Sequence, residues 1–250
     1  MPSTAILFIP GAWHSPSCFN QVIDLLQSTT TYTIDVVHLP SVGPENHHYL
    51  HDFTEDVQQI RTQILRLAAA SHRILVFAHS YGGVVASEAI QHLDLETRQQ
   101  ANLPGGVTQL FLCCSFLIPA DHSLRDAFGG QDPPWVEVSA DQMAAMPRNP
   151  IEVFYQDVPE TAARTAVAEL KPHSYRTFFS VCRFAAWKVV PTTYLYCARD
   201  RAMPVEAQKQ MVEGVGQGYR IRTETLDAGH SPFLSRMGEV AGAIHRAAEF

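Results

Sequence analysis

Three residues able to carry out acyl transfer stand far apart in this chain, each just past the end of an apolar run: Ser80, Asp200 and His230. A serine hydroxyl is a weak nucleophile. It needs a base within hydrogen-bond reach, and that base needs an acid to fix its tautomer and stabilise the imidazolium. Ser80 follows the run Ile74-Leu75-Val76-Phe77 and precedes the helical pattern Gly82–Ile90, with small residues, Ala78 and Gly82, on either side of it. A strand that turns this sharply into a helix puts the serine at the tip in a strained conformation, and presses backbone against backbone where a large Cβ substituent would clash. The strand Tyr194-Leu195-Tyr196 runs out into Cys197-Ala198-Arg199-Asp200. The last strand, Glu224-Thr225-Leu226, runs out into Asp227-Ala228-Gly229-His230-Ser231-Pro232. The order Ser…Asp…His, each member past the carboxyl end of a strand, matches what a parallel sheet presents at its ligand-binding edge.

Alternatives to each member stay open. Asp121 also follows a strand and competes with Asp200 for the acid; Asp227 is a third option but lies close to His230 in the same loop. The bland reading of Asp200 is the cap of the helix beginning near Pro204; its place in the topology favours it as the acid. His79, beside the serine, is expected to point inward and not serve as base. Two backbone N–H groups should stabilise the oxyanion, that of Tyr81 after the nucleophile and that of Ala12 in the loop after the first strand, where Gly11 permits close approach. His47, His48 and His51 cluster without a fixed period and read as a solvated loop, not a metal site; no cofactor or metal is expected. Gly129-Gly130 precedes no lysine-bearing phosphate loop.

The positioning elements read as strands alternating with helices. Ala5–Ile9, Ile34–Val37, Ile74–Phe77, Gln109–Cys114, Thr192–Tyr196 and Arg220–Leu226 are strands. Helices follow Ser15-Pro16-Ser17, run from Asp52 to about Ala70 with Phe53, Val57, Ile60, Ile64 and Leu67 on one face, and occupy Gly82–Ile90, Pro204–Val212 and the segment from Ser231. This spacing implies an α/β fold: a mostly parallel, doubly wound sheet with helices on both faces. Residues 1–116 and 187–250 form its core. Residues 117–186 break the rhythm and read as an inserted helical cap, with helical pieces near Ser139–Met146, Pro159–Leu170 and Ser174–Arg183. Its large apolar groups include Phe128, Trp135 and Phe154, which with Trp13 and His14 are the candidate substrate contacts.

At 250 residues with 46% hydrophobic content the chain can bury a large core. A net charge of −7 with no basic run argues against a nucleic-acid partner. The five cysteines, Cys18, Cys113, Cys114, Cys182 and Cys197, are odd in number and match no metal or redox spacing; Cys113 and Cys114, in the apolar run Leu110–Leu117, read as small buried core residues. The start at Met1-Pro2 shows no basic or long apolar leader, and no apolar run is long enough for a membrane span. A cytoplasmic location without membrane association is expected.

These residues resemble the α/β-hydrolase fold superfamily along essentially the whole chain. Gly11-Ala12-Trp13-His14 and Phe154-Tyr155-Gln156-Asp157-Val158-Pro159-Glu160 look like the small esterase branch that also holds plant methylesterases and hydroxynitrile lyases. Many relatives carry His-Gly where this chain has Pro10-Gly11. The lyases of the branch carry threonine in place of Gly11 and lysine in place of Ser231, both serving cyanide chemistry, so the resemblance implies a hydrolase. The expectation is a serine hydrolase of a carboxylic ester or lactone with a small to medium apolar substrate. Carbon–carbon bond cleavage or a non-hydrolytic step on the same triad, and a slow-turnover ligand receptor, are the rivals.

Overall fold

The structure is a computed structural model and describes residues 3–249, apart from the side chain of His47. The expectations resting on Met1, Pro2 and the His47 side chain therefore lie outside the described residues. In chain order the elements are β1 (Thr4–Ile9), α1 (Asn20–Thr29), β2 (Thr33–Val36), α2 (Thr54–Ala69), β3 (Arg73–His79), α3 (Gly82–Ala89), α4 (Leu95–Gln100) and β4 (Gly106–Cys113). An inserted stretch follows, with α5 (Leu124–Ala127), β5 (Val136–Val138), β6 (Ala144–Pro147), α6 (Pro150–Phe154), α7 (Glu160–Glu169) and β7 (His173–Ser174). The chain then returns with β8 (Thr192–Cys197), α8 (Val205–Glu213), β9 (Ile221–Leu226), α9 (Pro232–Ser235) and α10 (Met237–Ala248).

The main sheet has the order β2-β1-β3-β4-β8-β9, with every pairing parallel. Its two faces are visible in the alternation of side chains. In β3, Ile74, Val76 and Ala78 join one buried cluster while Leu75 and Phe77 join the other. β1 splits the same way, Ala5, Leu7 and Ile9 against Ile6 and Phe8. The first face is covered by α2 and α3, which lay Ile60, Ile64, Leu67, Val84 and Val85 on it; the second by α1 and α10, with Val22, Leu26, Val240 and Ile244. Each of these fully buried aliphatic side chains contributes about 1.5–3 kcal/mol relative to exposure. The strands are hydrophobic on both sides because helices cover both sides. A register shift opposite Ile74/Leu75 lets β4 place Leu110 and Leu112 on the same face as Val107.

Two expected helices in the insert are absent. Ser139–Met146 forms a hairpin corner and the start of β6 instead. The Ser139 hydroxyl accepts from the Met143 and Ala144 amides, and Gln142 takes a positive φ of 56°, so local side-chain-to-backbone bonds outcompete a helix. Ser174–Arg183 supplies β7 and a short 3₁₀ turn, because Ser174 N donates to Ser41 O and Tyr175 N to Met143 O. Together β5, β6 and β7 make a small antiparallel sheet, so the insert is helical only in part, with Glu160–Glu169 as its longest helix. The sequence reading also passed over α4, which Asp94 caps by accepting from Thr97 N. The C-terminal helix breaks at Arg236, whose φ and ψ of −137° and 42° separate α9 from α10.

Candidate active site

Ser80 sits between β3 and α3 with φ of +51°, the left-handed conformation that any residue bearing a Cβ disfavours. The strain is held from several directions. Ser115 Oγ donates to Ser80 O at 2.6 Å and Gly83 N donates to the same oxygen at 3.0 Å. The turn also needs two glycines: a Cβ at position 82 would lie 2.5 Å from Pro10 O, and one at position 11 would lie 2.9 Å from His79 Nδ1 and 3.0 Å from Ser80 Cβ.

Asp200 and His230, from the loops after β8 and β9, meet 2.7 Å apart, His230 Nδ1 donating to Asp200 Oδ2. Both are buried. Asp200 Oδ1 accepts from the Ala202 and Met203 amides at 2.8 and 2.9 Å, and Gln208 Nε2 from α8 donates to Oδ2 at 3.3 Å. An oxygen that accepts two N–H groups has its orientation set, and a carboxylate on Nδ1 requires the proton there. The lone pair is thereby left on Nε2. The competing carboxylates lie elsewhere: Asp121 and Asp227 have side chains 75% and 76% exposed, ion-paired with Arg183 and Arg199. His79 is buried beneath His230 and donates from Nε2 to His230 O at 2.8 Å. Burial, together with the neighbouring His230 and His14, holds its pKa well below the ordinary value, so it stays neutral.

Ser80, His230, Ala12, Tyr81, Trp13, Phe128 and Trp135 line one small cavity of about 20 Å³. Space of that size holds about one water. Five of its walls, Phe116, Phe128, Trp135, Ala202 and Met203, also line a neighbouring cleft of about 680 Å³. That cleft is mostly apolar, with Leu117, Ile118, Pro133, Pro134 and Met211 among its lining, and carries His122, Asp126, Arg201 and Gln210 as well. Neither the Ala12 nor the Tyr81 backbone N–H has a backbone acceptor among the described residues. The Tyr81 ring turns away, its hydroxyl donating to Asp56 Oδ2 at 2.7 Å. Asp56 also accepts from Ser41 N, and burial raises its pKa.

Two expected substrate contacts do not reach this cavity. His14 is turned behind the loop because Trp13 takes φ of +66°, a reversal no residue pattern announces. His14 Nδ1 donates to Ala12 O at 2.7 Å and Nε2 accepts from Tyr155 OH at 2.9 Å. Burial pushes its pKa down to about 4, so it is a neutral brace. Phe154 stacks behind the site, between Trp13 at 5.8 Å and His230 at 5.4 Å. Trp13 is itself held by the insert: its Nε1 donates to Ala145 O and its carbonyl accepts from Lys171 N. Asp56 and Gln208 were missed by sequence reasoning, and Tyr155 and Asp157 entered it only within the motif that carries the family resemblance, with no role assigned. Gln208 carried a weak signal, as an amide on the apolar face of a short helix. The others reach partners across separations no local pattern encodes.

His48 and His51 join no metal-competent group among the described residues. The two such groups are His79/Cys114/His230 and Cys113/Cys114/Cys197, all buried. All five cysteines are free. Among the described residues no helix is long and apolar enough to cross a membrane.

A serine at φ +51° on a strand–helix turn thus shares a cavity with the histidine of a buried histidine–carboxylate pair, at the carboxyl edge of a parallel sheet. The chain belongs to the alpha/beta hydrolase family, whose sequence model matches residues 6–243. It is similar to the alpha/beta hydrolase nvfD of Aspergillus novofumigatus, 27% identical over 252 residues that cover 99% of this chain and 98% of that protein. Among solved structures it resembles a pyrethroid hydrolase from Sphingobium faniae, with TM-score 0.80 and 20% identity over 99% of this chain and 98% of that one. It also resembles the Arabidopsis methylesterase MES16, with TM-score 0.79 and 17% identity over 99% of each chain. These structural likenesses show the shared fold.

Proposed function

We propose that the protein is a serine hydrolase of carboxylic esters or lactones, with Ser80 as nucleophile, His230 as base and Asp200 as the acid that orients it. The observation that carries this reading is the buried 2.7 Å Asp200–His230 bond opening onto the same cavity as a serine held at φ +51°. Ser80 Oγ attacks the carbonyl carbon while His230 Nε2 takes its proton. The tetrahedral oxyanion is received by the Ala12 and Tyr81 amides. Collapse breaks the C–O bond to the alcohol, which leaves with the proton from His230. Water, deprotonated by the same nitrogen, then cleaves the acyl-enzyme.

The insert, residues 117–186, acts as the cap. Its Phe128 and Trp135 stand between the reacting chamber and the wide cleft. A substrate therefore puts a small group beside Ser80 and a bulky apolar body in the cleft. Gly11 offers no hydroxyl to serve cyanohydrin cleavage, and the loop leaves little room for one, since a Cβ there would press on both His79 and Ser80. Steady-state assays on p-nitrophenyl esters of increasing acyl size test the reading. Sustained turnover by the wild type, lost in Ser80→Ala, is expected. Release that stops after one equivalent would support a receptor and overturn the hydrolase.

A further inference from the structure

We propose that Asp157, a residue of the insert, is a positioning residue for His230: its carboxylate fixes the backbone from which the imidazole projects. The proposal rests on the Ser80–His230–Asp200 reading above. Asp157 lies in the turn between α6 and α7, and its side chain is only 5% exposed. Oδ2 accepts from Gly229 N at 2.8 Å and from Ser235 Oγ at 2.8 Å. Gly229 immediately precedes His230, and Ser235 ends the short helix that follows it. One carboxylate oxygen thus ties the two ends of the histidine loop together.

The fit is close. A Cβ on Gly229 would lie 2.5 Å from Asp157 Oδ1 and 2.6 Å from Gln156 Nε2, so the loop can seat this deeply only with glycine at that place. On the other side, His230 O accepts from His79 Nε2 at 2.8 Å and from Cys114 Sγ at 3.3 Å. The Ala228–Gly229 peptide, one residue ahead of His230, is held from the insert, and the His230–Ser231 peptide from His79 and Cys114. Asp200 sets the ring torsion. The preceding residue extends the clamp: Gln156 Nε2 donates to Arg199 O at 2.6 Å, and Arg199 N donates to Ala228 O at 2.9 Å. Consecutive insert residues therefore grip the loops of both the acid and the base.

A general stabilising role explains these contacts less well. Arg199 Nη2 is 4.0 Å from Asp157, while Arg199 Nε makes its short ion pair at 2.8 Å with exposed Asp227. Asp157 Oδ1 is buried with no partner among the described residues. Burying half a carboxylate unpaired is costly, whereas a charge-assisted bond to the Gly229 amide is short and directional. That is the contact that sets geometry next to the reacting imidazole.

The test compares wild type with Asp157→Ser and Asp157→Asn on p-nitrophenyl butyrate, alongside two readouts that need no turnover. These are hydrogen exchange of the Gly229 amide and the low-field proton resonance of His230 Nδ1–H. A misplacement of about 1 Å costs on the order of 100-fold. The Ser variant is therefore expected to lose about 10- to 100-fold in kcat with KM held within about twofold, to exchange Gly229 faster, and to shift or broaden the ring proton. Asn keeps an acceptor without the charge and should fall between. An Asp157→Ser protein with wild-type kcat, Gly229 exchange and ring proton overturns the proposal. So does one that merely melts lower while all three are unchanged. If the Ser variant does not fold, Asp157→Asn decides: wild-type kcat together with an unmoved Gly229 amide resonance contradicts the proposal. Absence of Ser80-dependent turnover in the wild type would instead sink the hydrolase reading, leaving exchange and ring-proton data to judge Asp157 separately.

Discussion

Asp200→Asn makes the sharpest demand on the site. Oδ1 of Asp200 accepts from two backbone amides, Ala202 and Met203. An asparagine must put its carbonyl oxygen there, since an NH₂ group facing two N–H groups would leave all of them unpaired. Its NH₂ is then forced into the place of Oδ2, 2.7 Å from His230 Nδ1. That nitrogen must become the acceptor, the ring proton moves to Nε2, and the base no longer has a lone pair facing Ser80. The substitution also sets the new NH₂ against Gln208 Nε2, now 3.3 Å away. Trapping the wrong tautomer costs about 10⁴-fold in kcat, or about 5.4 kcal/mol of transition-state stabilisation at 1.36 kcal/mol per tenfold. The assay is kcat and KM on an activated ester, with circular dichroism and melting to verify folding. A folded Asp200→Asn protein within about tenfold of wild type would refute the reasoning, because the tautomer could not then depend on this carboxylate.

Further outcomes follow from the same geometry. Gly11→Thr should lose activity by at least about 100-fold, since the added Cβ displaces the oxyanion loop from Ser80; wild-type kinetics would contradict that packing. His14→Phe removes the brace on the Ala12 carbonyl and is expected to lower kcat about tenfold with little change in KM; a pure KM effect would point to substrate contact instead. Phe128→Ala should open the wall between chamber and cleft and raise kcat/KM for bulky acyl groups relative to acetate; an unchanged ratio argues against access by that route. His14 and His173 are buried neutral, with pKa values lowered by desolvation to about 4 and about 3. Unfolding then takes up protons, so stability present above pH 6.5 falls as pH drops toward 4, by roughly 3 kcal/mol per histidine. Buried Asp56, whose pKa is raised, works in the opposite sense. His79, likewise held neutral by burial, adds to the count, so uptake of between about two and three protons on urea unfolding at pH 5 is expected after the opposing contribution of Asp56, and no uptake would contradict it.

The strand ends were readable because the core of a parallel sheet is apolar on both faces, so each loop that bears chemistry begins where an apolar run stops. That logic located Ser80, the Asp200 loop and the His230 loop. It could not choose geometrically among Asp200, Asp121 and Asp227, since exposure and pairing with arginine are properties of the folded surface. His14 shows a second limit. Its neighbour Trp13 adopts a positive φ, so a residue adjacent to the site in sequence is turned behind it in space. Ser139–Met146 shows a third, where apolar spacing resembled a helix while Ser139 was bonding its own backbone. The Asp157–Gly229 contact spans 72 positions, and nothing local in either stretch announces the other.

The central claim is that Ser80 is a nucleophile activated by His230. Incubation with a fluorophosphonate probe followed by intact-mass and peptide analysis tests it most directly. The account predicts one phosphonyl adduct per chain, on Ser80, absent from Ser80→Ala and formed far more slowly in His230→Ala. No adduct on folded wild-type protein, or an adduct that persists in Ser80→Ala, would contradict it.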